Sequence, residues 1–209
     1  MAFPTFPLTL PTTTGITRSN FNLQRVVGMS QSPFTGQQQV YEHSFALWQS
    51  TITLAPMKRA IASEYQTFFM QLHGMRGTFL MGDPDAKSKR GNATQSSLTI
   101  TSSASVGAYD ISVSGFTNSQ SNALVKGDYI QFGTGSSSKL HMIVENVDAS
   151  ASGTATIQIE PALKVAITTS TSCSINNCVG VWRLDTNEIG WDADRASLYG
   201  FSFSCTEAI

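Results

Sequence analysis

The densest group of ionisable side chains in the sequence is the segment GDPDAKSKRG at residues 82–91. It places five charged side chains in ten positions of a chain in which 13% of all residues are charged. Asp83 and Asp85 could offer oxygen ligands to a divalent cation, but such a site draws further oxygen ligands. The residues that follow are instead basic, namely Lys87, Lys89 and Arg90. The proline between the two aspartates favours a turn over a metal site.

The three histidines do not form a second candidate centre. His43 comes before a predicted strand, His73 lies at a predicted helix end and His141 lies inside a predicted strand. They show no i, i+4 pairing with one another, as a metal or acid–base site on one helix face would require. His73 is best interpreted as a group that interacts with the helix C-terminus. A second acidic stretch, DTNEIGWDAD at 185–194, is interpreted as a hairpin turn.

The cysteines are an odd number, Cys173, Cys178 and Cys205, which does not suggest a disulfide framework. The first two occur in CSINNC, and no second pair follows to complete a zinc site. We favour buried or half-buried free thiols, with a disulfide between Cys173 and Cys178 as the alternative.

Motifs of enzymes are also missing from the sequence. There is no G-x-S-x-G nucleophile elbow, and GTGSSS at 133–138 has neither the lysine of a phosphate loop nor the third glycine of a dinucleotide fingerprint. We therefore expect no catalytic residue, no cofactor and no metal, and the chain is not expected to be an enzyme.

The net charge of −1 gives no basic surface by composition, so sequence-specific nucleic-acid binding is not expected. No window approaches the length of apolar sequence that crosses a membrane. The first residues, MAFPTFPLTLPTTTG, do not resemble a secretory signal, since no basic segment precedes an apolar one. We expect a protein that is made and kept soluble in a cytosol.

The first part of the chain predicts a strand followed by the one long helix. Residues 43–56, HSFALWQSTITLAP, are rich in β-branched and aromatic residues and end at a proline. In residues 56–74 the apolar side chains recur every three or four positions, which places them on one helical face; they are Met57, Ile61, Tyr65, Phe68, Phe69 and Leu72. Gly74 suits the helix C-terminus. The apolar run GTFLMG at 77–82 predicts another strand.

Residues 92–180 are dominated by small polar residues, yet apolar residues alternate through them. This pattern predicts strands spaced about ten residues apart, as in a small antiparallel barrel or sandwich. The predicted strands are 96–103, 109–116, 127–133, 139–147, 154–163 and 165–175.

The tail from residue 181 predicts two or three more strands, which we expect to complete the sheet begun before the helix. The predicted fold class is mainly β with one long α-helix. Residues 1–82 and 181–209 would form a discontinuous β-sandwich or split-barrel domain, with an N-terminal arm at 1–20. Residues 83–180 would form an inserted β-module.

Four segments carry a resemblance to a known family. They are residues 34–91, which include FTGQQQVYEHSFALWQ and GTFLMGDPDAKSKRG, then LVKGDYIQFG, KLHMIVENVDASASGTATIQIEPAL and the closing YGFSFSCTEAI. In this order of strand, helix, GTFLMGDPD, β-insert and final strand, the chain resembles the distal tail proteins of tailed phages. The resemblance spans most of the chain from about residue 34.

The resemblance implies a structural role in the virion tail, after synthesis in the host cytoplasm. A belt domain would form a ring, hexameric or alternatively trimeric, that joins the tail tube to the tail hub and to fibre or receptor-binding proteins. The β-insert would project and pack against fibres, bind host glycans or brace the ring. An adaptor or connector position elsewhere in the virion is an alternative.

Two other functions compete with this one. A carbohydrate-binding module is suggested by the β-rich insert and the three tryptophans, and a small hydrolase by scattered acids alone. For the tail protein, the expected subunit or partner interface comprises residues of the proline-rich arm, Phe3, Phe6, Leu8 and Leu10, and the basic residues Lys87, Lys89 and Arg90. We further expect the arm to be ordered only by lying on an adjacent subunit.

Overall fold

The structure is a computed structural model that describes residues 4–13, 15–194 and 197–209, without the side chains of residues 44 and 45. Within these ranges the chain forms short and long strands and one α-helix, so the predicted class of mainly β with one long helix is confirmed. The strands before residue 90 are β1 (Leu8–Thr9), β2 (Ile16–Gln31), β3 (Gln38–Leu54), β4 (Met57–Lys58) and β5 (Phe79–Met81), and the helix is α1 (Arg59–Leu72).

The later strands are β6 (Ser97–Ile100), β7 (Asp110–Ser114), β8 (Tyr129–Phe132), β9 (Lys139–Ile143), β10 (Thr154–Glu160), β11 (Cys173–Ser174), β12 (Gly180–Leu184), β13 (Asp192–Ala193), β14 (Leu198–Gly200) and β15 (Ser202–Glu207). A six-stranded sheet has the order β1-β5-β12-β15-β3-β2 and therefore takes strands from both ends of the chain. Among the strand pairs of this sheet, β1 and β5 are parallel and all the others are antiparallel. A three-stranded sheet has the order β13-β14-β4.

The helix α1 packs on this part of the chain as its apolar spacing predicts. Its buried side chains are Ala62, Tyr65, Phe68, Phe69 and Leu72. Phe69 lies 5.2 Å from Phe203 of β15 between ring centroids, and Phe68 lies 5.7 Å from Phe79 of β5. The helix ends where His73 adopts a left-handed conformation, with φ of 52°, and Gly74 continues with φ of 65°. Met57, which the spacing placed on the helix, lies in β4 because the helix begins two residues later.

The predicted antiparallel module is a closed barrel with the strand order β10-β7-β6-β11-β8-β9. Its core is made of inward-facing aliphatic residues, such as Ile111, Val113, Ile130, Ile143 and Ile157, all fully buried. The long strand predicted at 165–175 is wrong for most of its length, since only Cys173–Ser174 pairs as β11. The preceding residues make a turn instead, in which the Thr171 N–H donates to the Thr168 carbonyl at 3.0 Å.

The barrel and the six-stranded sheet share buried contacts. Leu140 of β9 and Tyr129 of β8 belong to the same apolar cluster as Trp48 and Trp182. The Trp48 indole donates to the Leu140 carbonyl at 2.9 Å, and the Trp182 indole donates to the Met81 carbonyl at 2.7 Å. Both tryptophans thus satisfy their polar atom while filling the core, as buried indoles require.

The N-terminal arm is held by its own chain. β1 pairs with β5, the Leu8 N–H donates to the Thr78 carbonyl at 2.9 Å, and the Tyr65 hydroxyl donates to the Pro11 carbonyl at 2.8 Å. The expectation that only an adjacent subunit orders the arm is therefore wrong for residues 4–13. Backbone pairing to β5 was invisible in the sequence because it joins positions that lie far apart in the chain.

Two further expectations differ from the structure. The arm was drawn to residue 20, but β2 begins at Ile16 and runs for 16 residues as the edge of the sheet. The hairpin turn expected within 185–194 is wrong, because β12 and β13 belong to different sheets. Residues 185–191 connect these sheets, and the Asn187 side chain accepts a hydrogen bond from the Met75 N–H at 3.0 Å.

Candidate functional site

The most unusual surface is a two-stranded projection formed by residues 24–43, which we call the ribbon. Its strands are the end of β2 and the start of β3, joined by a turn at residues 32–37. The other edge of β3 pairs with β15 only at residues 49–53. The start of β3, which belongs to the ribbon, therefore pairs with β2 alone. Every residue of the ribbon is exposed except Ser32, which is half-buried. With about 3.3 Å per residue, the ribbon extends about 25 Å.

The ribbon carries apolar side chains where water would otherwise favour polar ones. Phe34 at the turn is 95% exposed, Met29 is 63% exposed and Val40 is 60% exposed. Met29 and Val40 are directly opposite each other in the register, so they form one apolar pair on one face. Val26, Val27 and Tyr41 are also exposed. Residues 26–41 contain no charged side chain.

An isolated two-stranded hairpin is marginally stable in water, and exposed apolar groups concentrated on it mark a contact surface. The edge strand β2 also presents unpaired backbone groups along its outer side, which are a template for another chain. The ribbon is thus suited to be covered by a partner, and its chemistry calls for an uncharged, partly apolar partner surface.

The base of the ribbon is fixed to the barrel by an ion pair. The Arg25 guanidinium lies 2.7 Å from the Glu160 carboxylate of β10 and 3.3 Å from Glu42 of β3. The hydrogen bond with Glu160 raises the pKa of Arg25, more than partial burial lowers it. Arg25 therefore ties the direction of the ribbon to the barrel, at a modest energy because the pair is part-exposed.

The predicted interface residues fall into two groups away from the ribbon. Phe6, Leu8 and Leu10 are partly buried and pack against the chain's own core, whereas Phe3 lies outside the described residues. Among the basic residues, Lys89 donates to the Gln95 carbonyl at 2.8 Å, and the Arg90 guanidinium donates to the Lys126 carbonyl. Lys87 is exposed. Leu10 of the arm and Lys87 of the loop line one surface depression, which contains no residue of the ribbon.

The aspartates of the same loop form the turn that the sequence predicts. The Asp83 carboxylate accepts the Asp85 N–H at 3.1 Å and the Tyr129 hydroxyl at 3.1 Å. Burial is the main reason why the pKa of Tyr129 is raised, and the nearby Asp83 charge raises it further. Across the described residues, no group of three or more histidine, cysteine, aspartate or glutamate side chains could hold a metal ion.

The cysteines are all free and buried, as favoured from the sequence. Burial raises the pKa of Cys173 and of Cys178 to about 12. Their thiols are thus protonated and inert near neutral pH. Of the tryptophans, only Trp191 remains partly exposed, at 39%, so Trp48 and Trp182 are not available to stack on a sugar.

His141 lies fully buried in β9 and is the histidine with the most unusual surroundings. Its Nδ1 is 2.7 Å from the Pro161 carbonyl oxygen, and its Nε2 has no hydrogen-bond partner in the described structure. Burial, with smaller effects from Lys164 and Lys139, lowers the pKa of His141 to about 4. The interpretation of His141 from the sequence was structural, because it lies inside a predicted strand with no second histidine at metal-binding spacing.

Sequence reasoning missed the ribbon, although a signal was present. Phe21 and Leu23 alternate with polar residues before SPFTG, a turn-forming stretch that stands between two long runs rich in strand residues.

No protein-family model and no curated protein matches the chain. As for membranes, none of the helices in the described ranges has the length and apolar character needed to cross one.

Proposed function

We propose that the chain is a structural subunit of a phage tail, which assembles with copies of itself into a ring through the ribbon. The observation that carries the proposal is the apolar, uncharged surface of residues 26–41 on a projecting two-stranded element. The resemblance to distal tail proteins suggests that the chain lies at the end of the tail tube. It also suggests a hexameric ring, with a trimer as the alternative.

Contact through the ribbon would be heterologous, because a projecting element of one subunit meets a different surface of the next. Heterologous contacts generate closed rings when the rotation between subunits closes. Apolar surface suited to receive a ribbon is exposed near the end of α1, where Met70 is 58% exposed and Trp191 39%. A shallow depression joins these two side chains with polar ones, Gln66, Thr67, Gln71 and His73.

We infer further that the six-stranded and three-stranded sheets with α1 form the belt domain, composed of residues 1–82 and 181–209. Its sandwich or split-barrel arrangement would bring subunits into a continuous ring. The barrel within residues 83–180 would then face outward as the variable module. Tail tube, tail hub and fibre or receptor-binding proteins are the proposed neighbours, and the proposed location is the virion tail. A catalytic role is not part of the proposal.

The self-assembly is tested by native mass spectrometry of the full chain and of the double variant Met29→Asp/Val40→Asp. The two new charges meet the partner surface directly, so the full chain should form a closed ring and the variant should remain monomeric. The matched control is Val106→Asp/Val165→Asp, which puts the same charges on exposed apolar positions of the barrel; Val106 is 63% exposed and Val165 50%.

A ring for the full chain and the control, together with a monomeric ribbon variant, supports the proposal. A full chain that stays monomeric, or a ribbon variant that assembles as well as the control, overturns it. The place in the virion needs its own measurement, which is electron microscopy of intact particles with a label on this chain. Labels at the distal end of the tail support the tail position, and labels on the capsid contradict it.

A further inference from the structure

A cleft of about 400 Å³ opens at one end of the barrel, between the turn that follows β8 and the segment that precedes β11. Buried side chains form its floor, among them Phe132, His141 and Ile167. Its rim is made of exposed residues, which include Thr134, Ser137, Val165 and Ser170. Barrel mouths are common places for small-molecule sites, and this volume is at the lower end of the usual range.

The histidine in the floor has an unused acceptor. Because the Pro161 carbonyl oxygen can only accept, His141 Nδ1 must carry the hydrogen of their 2.7 Å contact. Nε2 of the neutral ring then has a lone pair, and it is buried with no partner among the described residues. A buried polar atom left without a hydrogen bond destabilises the folded chain. The position is therefore suited to a molecule that donates a hydrogen bond.

The remaining polar groups of the cleft are mostly donors or hydroxyls. Lys139 also lines it, and its ammonium uses one N–H in a 2.8 Å bond to the Ala208 carbonyl. An ammonium has three donors, so further donors remain for an acceptor. The Ser137 hydroxyl donates to the Thr134 carbonyl at 2.8 Å and accepts the Thr134 N–H at 3.2 Å, so it has one acceptor position left. The Ser170 hydroxyl lies 2.9 Å from the Thr168 hydroxyl and keeps further hydrogen-bonding capacity.

These groups together select the chemistry of an occupant. An anion would suit Lys139 but would direct a lone pair at the lone pair of His141 Nε2. A cation would be repelled by Lys139. A hydroxyl group can donate to Nε2 and accept from Lys139, and the apolar walls at Leu163 and Val165 suit the carbon side of a ring.

We propose that the barrel mouth binds a small uncharged polyhydroxylated molecule, about the size of one sugar ring, with one hydroxyl donating to His141 Nε2. This inference does not depend on the ring or on the ribbon. The ligand could be a free polyol or one unit of a polysaccharide, because both offer the same hydroxyl pattern.

The test uses the full-length chain and two neutral probes, myo-inositol for a free polyol and methyl α-glucopyranoside for a sugar unit. The ring nitrogens of His141 are followed by long-range ¹H–¹⁵N NMR during titration. We expect at least one probe to move the Nε2 resonance in a saturable way, while inorganic phosphate does not. Preference for inositol indicates a free polyol, and preference for the glycoside indicates a glycan unit.

A rim variant keeps the test independent of folding. Val165→Arg places a long side chain across the mouth from a position that is 50% exposed, so the fold should tolerate it. We expect it to weaken the binding of the better probe by at least about tenfold, the loss that 1.4 kcal/mol of binding free energy represents. The control Val106→Arg, on a valine outside the cleft that is 63% exposed, should bind as the unaltered chain does.

The proposal is overturned if neither neutral probe shifts the Nε2 resonance, or if phosphate binds more tightly than both. It is also overturned if Val165→Arg binds as well as Val106→Arg. Saturable binding lost only in Val165→Arg, with a shift of Nε2, supports it.

Discussion

Lys164 and Glu207 form a buried ion pair that joins the barrel to the six-stranded sheet. The Glu207 oxygen in this pair also accepts the backbone N–H of Trp48 at 3.2 Å. The carbonyl of the next residue, Ala208, accepts a hydrogen bond from the Lys139 ammonium. Burial lowers the pKa of both lysines, and the Glu207 carboxylate opposes that shift. Two cations and one carboxylate are thus enclosed at the contact between the two parts of the chain.

Replacing Lys164 with methionine should destabilise the protein strongly. The substitution removes the cation in direct contact with Glu207 and leaves only the nearby Lys139 charge, and breaking one partner of a buried pair costs about 3–5 kcal/mol. The free energy of unfolding from urea titrations followed by circular dichroism measures the effect. Lys126→Met is the matched control, since Lys126 is exposed and should change the value by less than about 0.5 kcal/mol. Equal stability of the two variants would show that the pair contributes nothing.

The double variant Lys164→Met/Glu207→Gln separates the loss of the pair from the exposure of an unpaired charge. An amide at position 207 removes the uncompensated charge, so the double variant should be more stable than Lys164→Met alone. A double variant that is as unstable as the single one contradicts this interpretation.

Acidification should destabilise the protein through His141. Its pKa is about 4 in the folded chain, whereas a histidine in an unfolded chain titrates near 6.5. Between these values the unfolded chain binds more protons, so this contribution is complete above pH 6.5 and is lost as the pH falls towards 4. The expected loss is about 3 kcal/mol, from about 1.4 kcal/mol per pKa unit.

Carboxylates titrate in part of the same range, so the measurement compares variants. The free energy of unfolding is followed from pH 7 to pH 4 for the unaltered chain, for His141→Gln and for His43→Gln, whose side chain is exposed. The slope of the free energy of unfolding against pH should be smaller than in the unaltered chain only for His141→Gln. A slope that His141→Gln leaves unchanged would mean that other groups carry the acid sensitivity.

The sequence predicted those features that depend on local periodicity. The helix followed from apolar residues such as Tyr65, Phe69 and Leu72 at helical spacing, and β7 and β10 followed from alternation of apolar and polar residues. β11 was overestimated because a run such as VAITTSTSCSI has the composition of a strand, although most of it has no neighbour to pair with.

Features that depend on contacts between distant residues could not be predicted. Leu8 and Phe79 are partners in the parallel contact of β1 with β5, and nothing near either residue indicates the other. The same holds for Lys164 and Glu207. The cleft at His141 is another example, because it combines Phe132 of β8 and His141 of β9 with residues between 163 and 172, which lie further along the chain.

The N-terminal arm should stabilise a single subunit. Phe6 is partly buried on the core, and a Cβ added at Gly77 would lie 2.7 Å from the Phe6 ring, so the arm packs closely on the helix end. Phe6→Ala should lower the free energy of unfolding by about 1–3 kcal/mol, less than for a fully buried ring. Thr12→Ala, at an exposed position of the arm, is the control.

Protein concentration distinguishes the two accounts of the arm. The loss in Phe6→Ala should be the same at concentrations where the chain is monomeric and where it is assembled. A loss that appears only in the assembled state would restore the adjacent subunit as the partner of this residue.

The charged segment 82–91 should tolerate little change at its first residue. A Cβ added at Gly82 would lie 2.0 Å from the Cys178 carbonyl oxygen, a contact with rigid backbone. Nearby, the Asn177 N–H donates to the Lys87 carbonyl at 2.7 Å, so the chain entering the barrel part contacts the chain leaving it. Gly82→Ala must move one of these backbones, and we expect a loss of about 1–3 kcal/mol.

Gly190→Ala is the matched control for that loss, because nothing lies within 4 Å of the added Cβ. It should change the free energy of unfolding by less than about 0.5 kcal/mol. Thermal unfolding of both variants measures the difference, and a Gly82→Ala protein as stable as Gly190→Ala would show that the close approach is easily relieved. A selective loss would mean that the chain entering the barrel part and the chain leaving it are tightly packed where Gly82 meets Cys178.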